Sequence, residues 1–338
     1  MSATGKNRKE LAELHFHLGQ AVDPHILWSI AHEQGIRLPS KDYWEFHDLL
    51  TLKKQDAVTW EDYHKLFYWT ELIQSSPIAI ERSVYEVLNG AYRVNNITLL
   101  EISFNPMFRN RGGERDLDQI ILAALRGLER GLAEFPMVRA GIILLLDRRL
   151  SFQQNETIVK KARKFRDRGV VGIDIAGPMG TDFRYTDYAG LYALAREKGL
   201  KTTVHTGEDG DAEEMAHVLS VLPLDRINHG FRAYTSPEVM RTVREKNLTL
   251  CLCPTSNMKV GFIKGGDHLR EVIRTLWDNG VKFCINTDNP SMLRTNLVKE
   301  LDLLRQHNVL TDEQIDQTIR WGFEAAFTHT LPGKNLYL

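Results

Sequence analysis

The sequence predicts an α/β fold, a parallel (β/α)8 barrel that forms one domain over residues 1–338. Three observations lead to this prediction. Short β-rich runs alternate with longer runs that carry apolar residues at helical spacing. Gly169, Gly199 and Gly280 stand just past three of the helical runs, where a glycine commonly ends a helix, and a strand run follows each of them. The chain of 338 residues also has the length that such a barrel needs.

The elements follow one another in the order that a barrel requires. Strands are predicted at residues 12–18, 97–104, 139–146, 170–176, 201–205, 225–229, 248–253 and 281–287. Helices are predicted at residues 117–135, 157–168, 188–198, 212–222, 237–245 and 268–279. A doubly wound open sheet is the alternative, but the first strand–helix turn lacks the G-x-G-x-x-G pattern of a dinucleotide-binding version.

A long segment, residues 19–96, separates the first two predicted strands. It is rich in aromatic residues: Trp28, Tyr43, Trp44, Phe46, Trp60, Tyr63, Phe67, Tyr68 and Trp69. Because it follows the first strand, it emerges at the catalytic face of a barrel. We interpret it as a helical insertion that covers the barrel mouth. The alternative is a set of helices whose aromatic side chains pack on one another.

Composition and charge exclude several classes of partner. The chain carries 43 basic and 44 acidic residues, so no net field attracts nucleic acid or an anionic membrane. The longest apolar run, residues 141–146, is too short to cross a bilayer, and the first residues do not resemble a secretory signal. Cys251, Cys253 and Cys284 fall in strand runs and are expected to be buried thiols in a reducing, cytoplasmic location. The less favoured alternative is that Cys251 and Cys253 are metal ligands.

Two histidines at the end of the first strand give the strongest chemical signal. His15 and His17 alternate with apolar residues, so both side chains point to the same side of the strand and can share a metal. An H-x-H motif alone is weak evidence, since the chain contains 12 histidines and a chance pair is plausible.

Other polar residues end later strands of the predicted barrel. His205, His229 and Asp288 all fall at carboxyl-terminal strand ends, which share one face of a barrel. Each alone could be a hydrogen-bonded histidine or a helix-capping aspartate, but their joint position favours a common site. Three histidines and one carboxylate can bind Zn²⁺, which lowers the pKa of a bound water. Glu208 is then placed to act as the acid, and His229 as the base.

Several motifs together resemble the adenosine deaminase family, in the same order and at similar spacing, from residue 12 to about residue 300. The matching motifs are Leu14-His15-Phe16-His17-Leu18, Ile173-Asp174-Ile175-Ala176-Gly177, His205-Thr206-Gly207-Glu208, His229-Gly230, Cys253-Pro254-Thr255-Ser256-Asn257 and Asn286-Thr287-Asp288. Several motifs in one order are far more specific than any of them singly.

The resemblance implies a role for each matched residue. Glu208 would donate a proton to purine N1, His229 would act as the base for the attacking water, and the backbone of Gly177 would contact purine N3. Asp288 counts among the catalytic residues as well as among the ligands. The resemblance implies one Zn²⁺ per chain, held by His15, His17, His205 and Asp288.

The sequence departs from the family pattern at two substrate-binding positions. The family often follows the aspartate ligand with a second aspartate that contacts purine N7, whereas this chain has Asn289, whose amide can donate an N–H but cannot act as an acid. The alternative is that Asn289 only shapes the turn. The family commonly has an aspartate for the ribose 5′-hydroxyl where this chain has Gly19, and Gln20 is the possible substitute.

We therefore expect a zinc-dependent hydrolase that deaminates a purine nucleoside at C6, most simply adenosine, with water as co-substrate. The missing carboxylate at Gly19 makes a 5′-modified nucleoside such as methylthioadenosine or 6-aminodeoxyfutalosine an alternative, and free adenine a weaker one. The aromatic segment offers a pocket for an apolar 5′ group. Other hypotheses are a different metal hydrolase or an inactive binding protein. The sequence leaves the oligomeric state and the 5′ substituent open.

Overall fold

A computed structural model describes residues 8–52, 58–111 and 113–330, and it has the predicted α/β barrel architecture. All strand pairs within its two sheets are parallel. In the described part the strands are β1 Leu11–Glu13, β2 Ile97–Phe104, β3 Arg139–Asp147, β4 Val170–Ala176, β5 Lys201–Thr202, β6 His205–Thr206, β7 Ile227–His229, β8 Leu250–Leu252 and β9 Phe283–Ile285.

The helices lie outside the strands and at the barrel mouth. Within the described ranges they are α1 Leu18–Ala21, α2 Pro24–Glu33, α3 Tyr43–Leu50, α4 Trp60–Lys65, α5 Phe67–Ile73, α6 Pro77–Asn95, α7 Leu117–Glu134, α8 Phe152–Lys164, α9 Tyr185–Glu197, α10 Ala212–Val221, α11 Pro237–Glu245, α12 Pro254–Lys259, α13 Gly265–Asp278, α14 Pro290–Leu293, α15 Leu297–Gln306 and α16 Asp312–Glu324. None of these helices, over the residues described, is long and apolar enough to cross a membrane.

Two connections turn the sheets into a closed barrel. β1 to β5 form one sheet and β6 to β9 the other, and β5 and β6 are two halves of the fifth barrel strand. At the other seam, the backbone N–H of Asp288 donates to the carbonyl of His15 at 3.0 Å, and the N–H of His17 donates to the carbonyl of Asp288 at 2.9 Å. The end of the last strand is therefore hydrogen-bonded to the end of the first.

Most predicted strands and helices are present, with shifted ends. The first strand was predicted over residues 12–18 but ends at Glu13, because the backbone beyond it makes only isolated bridges before α1 begins at Leu18. The helix predicted from residue 157 begins at Phe152 instead. Ser151 and Gln154 form a capping box there, which satisfies the first free N–H groups of the helix.

The segment between β1 and β2 serves two purposes. Its last helix, α6, packs against β2 and α7 in the outer ring, so the part of residues 19–96 that covers the mouth ends before Pro77. The aromatic residues divide accordingly. Trp28 packs against Tyr43 and Phe46 with ring centroids 5.7 and 5.1 Å apart, while aromatic residues of α4 and α5 face the cavity at the barrel mouth. Residues 53–57 of the predicted insertion lie outside the described residues.

The three cysteines are free and buried, as predicted. Cys251 and Cys284 lie on the neighbouring strands β8 and β9 with their sulfur atoms 3.7 Å apart. The Sγ of Cys253 lies 3.5 Å from Nδ1 of His15. Two of the thiols therefore pack between strands, and the third lies behind a histidine of the predicted metal site.

A buried ion pair joins strands inside the barrel. Arg226 and Glu101 are fully buried, and Nη1 of Arg226 donates to Oε2 of Glu101 at 2.7 Å. The guanidinium also donates to the carbonyls of Leu14 at 3.1 Å and Ala325 at 3.2 Å, and it lies 3.9 Å from the ring centroid of Phe327. This one side chain, just before β7, connects β2 and the end of β1 to Ala325 and Phe327 near the end of the described chain.

Replacing this arginine is expected to destabilise the fold strongly. Arg226→Met leaves the Glu101 carboxylate buried without its cation, which costs about 3–5 kcal/mol of the free energy of unfolding. Arg196→Met is the control, because its partly exposed ion pair with Asp225 should be worth about 1 kcal/mol or less. Urea denaturation followed by circular dichroism measures both, and equal losses in the two variants would contradict the prediction.

Candidate active site

Four side chains converge where the strands β1, β6 and β9 end. Nε2 of His17 lies 3.2 Å from Nε2 of His15 and 3.2 Å from Nε2 of His205. Oδ1 of Asp288 lies 3.5 Å from Nε2 of His15 and 3.2 Å from Nε2 of His17. The structure thus brings together three imidazole nitrogens and one carboxylate oxygen that the sequence predicted as ligands.

The groups behind two imidazoles determine which nitrogen carries the proton. Nδ1 of His205 lies 2.9 Å from Oδ2 of the buried Asp174, at an angle outside that of a hydrogen bond, and the negative carboxylate favours the tautomer with its proton on Nδ1. The hydroxyl of Ser103 donates to the carbonyl of Phe16 at 3.1 Å and therefore accepts from Nδ1 of His17 at 3.2 Å. The Nε2 lone pairs of His17 and His205 are consequently free to bind a cation.

The spacing of the four atoms fits a tetrahedral metal ion. Ligands about 2.0–2.1 Å from zinc at tetrahedral angles lie roughly 3.3–3.4 Å from one another, close to the distances found here. Lone pairs that point at one another across such distances repel unless a cation lies between them. His15, His17 and His205 form one of the groups among the described residues that can hold a metal. His15, His229 and Cys253 form another, but the sulfur lies at Nδ1 of His15, the nitrogen opposite the cluster.

The second oxygen of Asp288 is held by two hydroxyl groups that the sequence analysis did not assign. Ser256 donates to Oδ2 at 2.6 Å, and the buried Tyr63 donates to it at 3.3 Å. Burial is the main cause that raises the pKa of Tyr63, and the nearby charge of Asp288 raises it further, so the hydroxyl stays protonated. Ser256 lies in a motif quoted above, whereas Tyr63 comes from the aromatic segment, where no pattern distinguished it from its neighbours.

Asn289 donates one N–H to the hydroxyl of Tyr63 at 2.7 Å. Its Oδ1 is buried and has no hydrogen-bond partner among the residues described. A carboxamide has two N–H donors, so one remains besides the bond to Tyr63. The residue is therefore tied into the wall of the site and keeps a donor for a ligand.

Glu208 and His229 form an interacting pair beside the four ligands. Oε2 of Glu208 lies 3.2 Å from Nε2 of His229, and Asn257 contacts both residues, donating to Oε1 of Glu208 at 3.3 Å. Burial is the main cause that raises the pKa of Glu208 well above its usual value, and the charge of Asp288 raises it further. Burial lowers the pKa of His229 to about 3. Burial therefore favours a protonated Glu208 carboxyl and a neutral His229 imidazole.

Two residues of the site have an unusual backbone. His229 and Asp288 have φ angles of 61° and 63°, in the left-handed region that side chains other than glycine rarely adopt. Each costs about 1–2 kcal/mol relative to an ordinary conformation, and such conformations cluster at functional sites. The turn at each strand end directs the side chain across the barrel mouth and not along the strand.

A cavity of about 290 Å³ opens above the cluster. Every predicted site residue except His15 lines it, including the predicted substrate contacts Gly177, Asn289, Gly19 and Gln20. His15 is buried and lies beneath its neighbours. At Gly177 the φ angle is 84°, and a Cβ atom would stand 2.5 Å from Oδ2 of Asp147, so only glycine fits there.

Comparison with known proteins assigns the family. The family model described as adenosine deaminase matches residues 10–336. The chain belongs to the adenosine deaminase family. An adenosine deaminase of Enterococcus faecalis is 31% identical over 316 residues, covering 93% of this chain and 91% of that protein. Membership makes this chain a hydrolytic deaminase and confirms the resemblance read from the motifs.

Solved structures of other proteins share the fold. An amidohydrolase from Burkholderia ambifaria with bound zinc has a TM-score of 0.83 and 22% identity, covering 96% of this chain and 90% of that chain. The N6-mAMP deaminase of Arabidopsis has a TM-score of 0.79 and 22% identity, covering 94% and 93%. At these identities the match supports the barrel and not a particular substrate.

The carboxylate behind His205 is expected to set the metal affinity of this deaminase. Asp174→Asn removes the negative charge that keeps the proton on Nδ1, and losses of this kind weaken metal binding about 10- to 100-fold. Competition with a chromogenic chelator measures the change. Asp225→Asn is the matched control, because its carboxylate pairs with Arg196 and Lys201 and lines a different pocket. An unchanged affinity in Asp174→Asn would show that His205 needs no carboxylate to orient it.

Proposed function

We propose that this chain removes the 6-amino group of an adenine nucleoside by hydrolysis, most simply converting adenosine to inosine and ammonia. The observation that supports the proposal most directly is the cavity whose floor carries four convergent ligand atoms with Glu208 and His229 beside them. An inactive binding protein on this fold would not need such a complete set. Family membership supports the reaction class.

We assign one zinc ion per chain to His15, His17, His205 and Asp288. Zinc favours this mixture of imidazole and carboxylate ligands, and the related amidohydrolase from Burkholderia ambifaria has bound zinc. When bound, the ion lowers the pKa of a water molecule and so supplies hydroxide near neutral pH. Ser256 and Tyr63 hold the free oxygen of Asp288, which leaves Oδ1 directed at the ion.

The remaining site residues position the adenine ring and transfer protons. Glu208 gives its proton to purine N1, which draws electrons toward the ring as the water oxygen bonds to C6. His229 accepts one proton from that water and passes it to N6, so that the C6–N6 bond breaks and ammonia leaves. The proton left on the C6 oxygen returns to the Glu208 carboxylate as the C6 carbonyl forms. We assign the N–H groups of Asn289 and of the Gly177 backbone to purine N7 and N3, on the two sides of the base.

The metal assignment predicts the composition of the purified protein. Freshly purified protein, never exposed to a chelator, should contain about one equivalent of zinc by elemental analysis, because four preformed ligands bind it tightly. His205→Ala should lose most of it, whereas the exposed His217→Ala should not. Less than about half an equivalent in the unaltered protein would count against the site.

The acid role predicts a separation of metal binding from turnover. Glu208→Gln should keep its metal and lose about a hundredfold or more in kcat, because the amide cannot donate the proton to N1. Glu213→Gln, an exposed position on α10, is the control. Ammonia release from adenosine and elemental analysis of the same preparations measure both effects. A near-normal rate in Glu208→Gln would remove this residue from the mechanism.

A further inference from the structure

A buried cation without a partner lies in the wall of the cavity. Arg109 ends the short 3-10 turn Pro106–Arg109 that follows β2, and it is only 4% exposed. Its Nε and Nη1 atoms have no hydrogen-bond partner among the described residues. Burial lowers the pKa of Arg109, but a guanidinium stays charged at neutral pH. A buried charge without a counterion is costly, so its presence calls for a ligand that supplies one.

The neighbouring charges of the cavity wall are already paired. Arg111 forms an ion pair with Glu71 at 3.3 Å, and Arg149 forms one with Asp147 at 2.7 Å. Within each of these two pairs, the positive and negative charges cancel. Arg109 lines the same cavity and remains as an unneutralised cation.

Two further charged groups lie near this cation. Arg148 also lines the cavity and keeps its positive charge, but its N–H groups donate to the carbonyl of Gly177 at 2.6 Å and to that of His205, and the carboxylates of Asp209 and Glu214 attract it. Glu71 is the carboxylate that attracts Arg109 most strongly, but the two groups form no ion pair, and Glu71 pairs with Arg111 at 3.3 Å. Two arginines therefore share one carboxylate, and one positive charge remains. Burial raises the pKa of Glu71, which weakens it further as a counterion.

The cation occupies space that a side chain at position 19 would need. A Cβ atom on Gly19 would lie 2.7 Å from Nη2 of Arg109, closer than carbon and nitrogen normally approach. The carbonyl of Gly19 is fixed by the side-chain amide of Gln74 at 2.9 Å, so the backbone cannot move away easily. Gln20, the predicted substitute for the missing carboxylate, instead donates to the hydroxyl of Thr70 at 2.9 Å.

The position of Arg109 along the cavity identifies the part of the substrate that it meets. Gly19 follows His17 by two residues, so their Cα atoms lie within about 7 Å of each other. With C6 at the ligand cluster, the base occupies the space between Glu208 and Asn289. The cavity that continues past Gly19 is then left for the group that the base carries, the ribose with its 5′ substituent.

We propose that Arg109 binds an anionic group, a phosphate or a carboxylate, at the 5′ end of the nucleoside that this enzyme deaminates. The inference rests on the proposed deaminase function. A guanidinium with free N–H groups matches the planar, paired oxygens of both anions. It disfavours the apolar 5′ group that the aromatic segment suggested, because such a group would leave the cation buried and unpaired.

A substrate panel tests the inference in the zinc-loaded enzyme. The compounds are adenosine, methylthioadenosine, adenosine 5′-monophosphate, adenosine 5′-carboxylate, 6-aminodeoxyfutalosine and free adenine, with kcat/KM measured by ammonia release. At least one anionic compound should exceed adenosine by about thirtyfold or more, the effect expected of charge-assisted hydrogen bonds to a buried site. The best compound shows whether phosphate or carboxylate is the natural anion.

Two variants connect this preference to the cation. Arg109→Met should abolish the preference for the anion, measured as the ratio of kcat/KM for the anionic compound to kcat/KM for adenosine in the same preparation. Gly19→Asp is the second variant, in case Arg109→Met does not fold, because its carboxylate would pair with the guanidinium and should reverse the preference toward adenosine. Arg82→Met, a surface arginine paired with Glu33, is the matched control.

The outcomes separate this inference from the proposed function. Adenosine or methylthioadenosine equal to or better than every anion, or an anion preference that survives both variants, would overturn the role of Arg109. No ammonia from any compound would instead contradict the proposed function. In that case, calorimetric titration with inosine and inosine 5′-monophosphate still tests the anion site, since tighter binding of the monophosphate should disappear in Arg109→Met.

Discussion

The hydrogen bonds that close the barrel also set the distances between the proposed metal ligands. The N–H of Asp288 bonds to the carbonyl of His15, and its carbonyl accepts from the N–H of His17. Three of the four ligands are therefore held by the backbone seam between the first and last strands. The fourth, His205, is paired in register with Asn228 of the next strand, and the side chain of Asn228 donates to Asp174 at 2.8 Å. The geometry of the cluster follows from the strand register and not from flexible side chains.

Burial at the floor of the site has opposite effects on the protonation of the proposed acid, Glu208, and the proposed base, His229. Burial disfavours the charged form of both Glu208 and His229, so one keeps a proton and the other remains without one. Asn257 touches both and holds them side by side. An environment of a single kind thereby produces two complementary catalytic groups, because a carboxyl and an imidazole respond to burial in opposite directions.

The sequence predicted the barrel and the convergence of the ligands for the same reason. Alternation of strands and helices places strand ends on one face, and His15, His17, His205 and Asp288 are recognisable there by their residue type. β2 and β4 have the predicted bounds and β3 is one residue longer than predicted. The first, sixth, seventh and eighth barrel strands were predicted too long, because their residue runs continue past the regular hydrogen-bond ladder, and the fifth is interrupted at Thr203 and Val204. The left-handed backbone of His229 and Asp288 left no signal, since neither residue type requires it.

Partners that come from distant segments could not be predicted. Tyr63 reaches Asp288 across 225 positions of sequence, and Arg109 meets Gly19 from a separate loop. Tyr63 was one aromatic residue among eleven in residues 19–96, and Arg109 one arginine in a loop with no pattern. The glycine at position 19 indicated that a carboxylate was missing, but only packing shows which group fills the space.

The contact between Gly19 and Arg109 also has an evolutionary consequence. The two positions are far apart in sequence, but a side chain at position 19 would occupy the space of the Arg109 guanidinium. A change at either position therefore alters what the other can do. If Arg109 binds the anion as proposed, a lineage that gained an aspartate at position 19 first would neutralise the cation internally and turn toward adenosine in one step. One that lost the arginine first would pass through a pocket without this cation, in which neither substrate class is favoured. The order of the two changes therefore decides whether divergence passes through a broad-specificity intermediate.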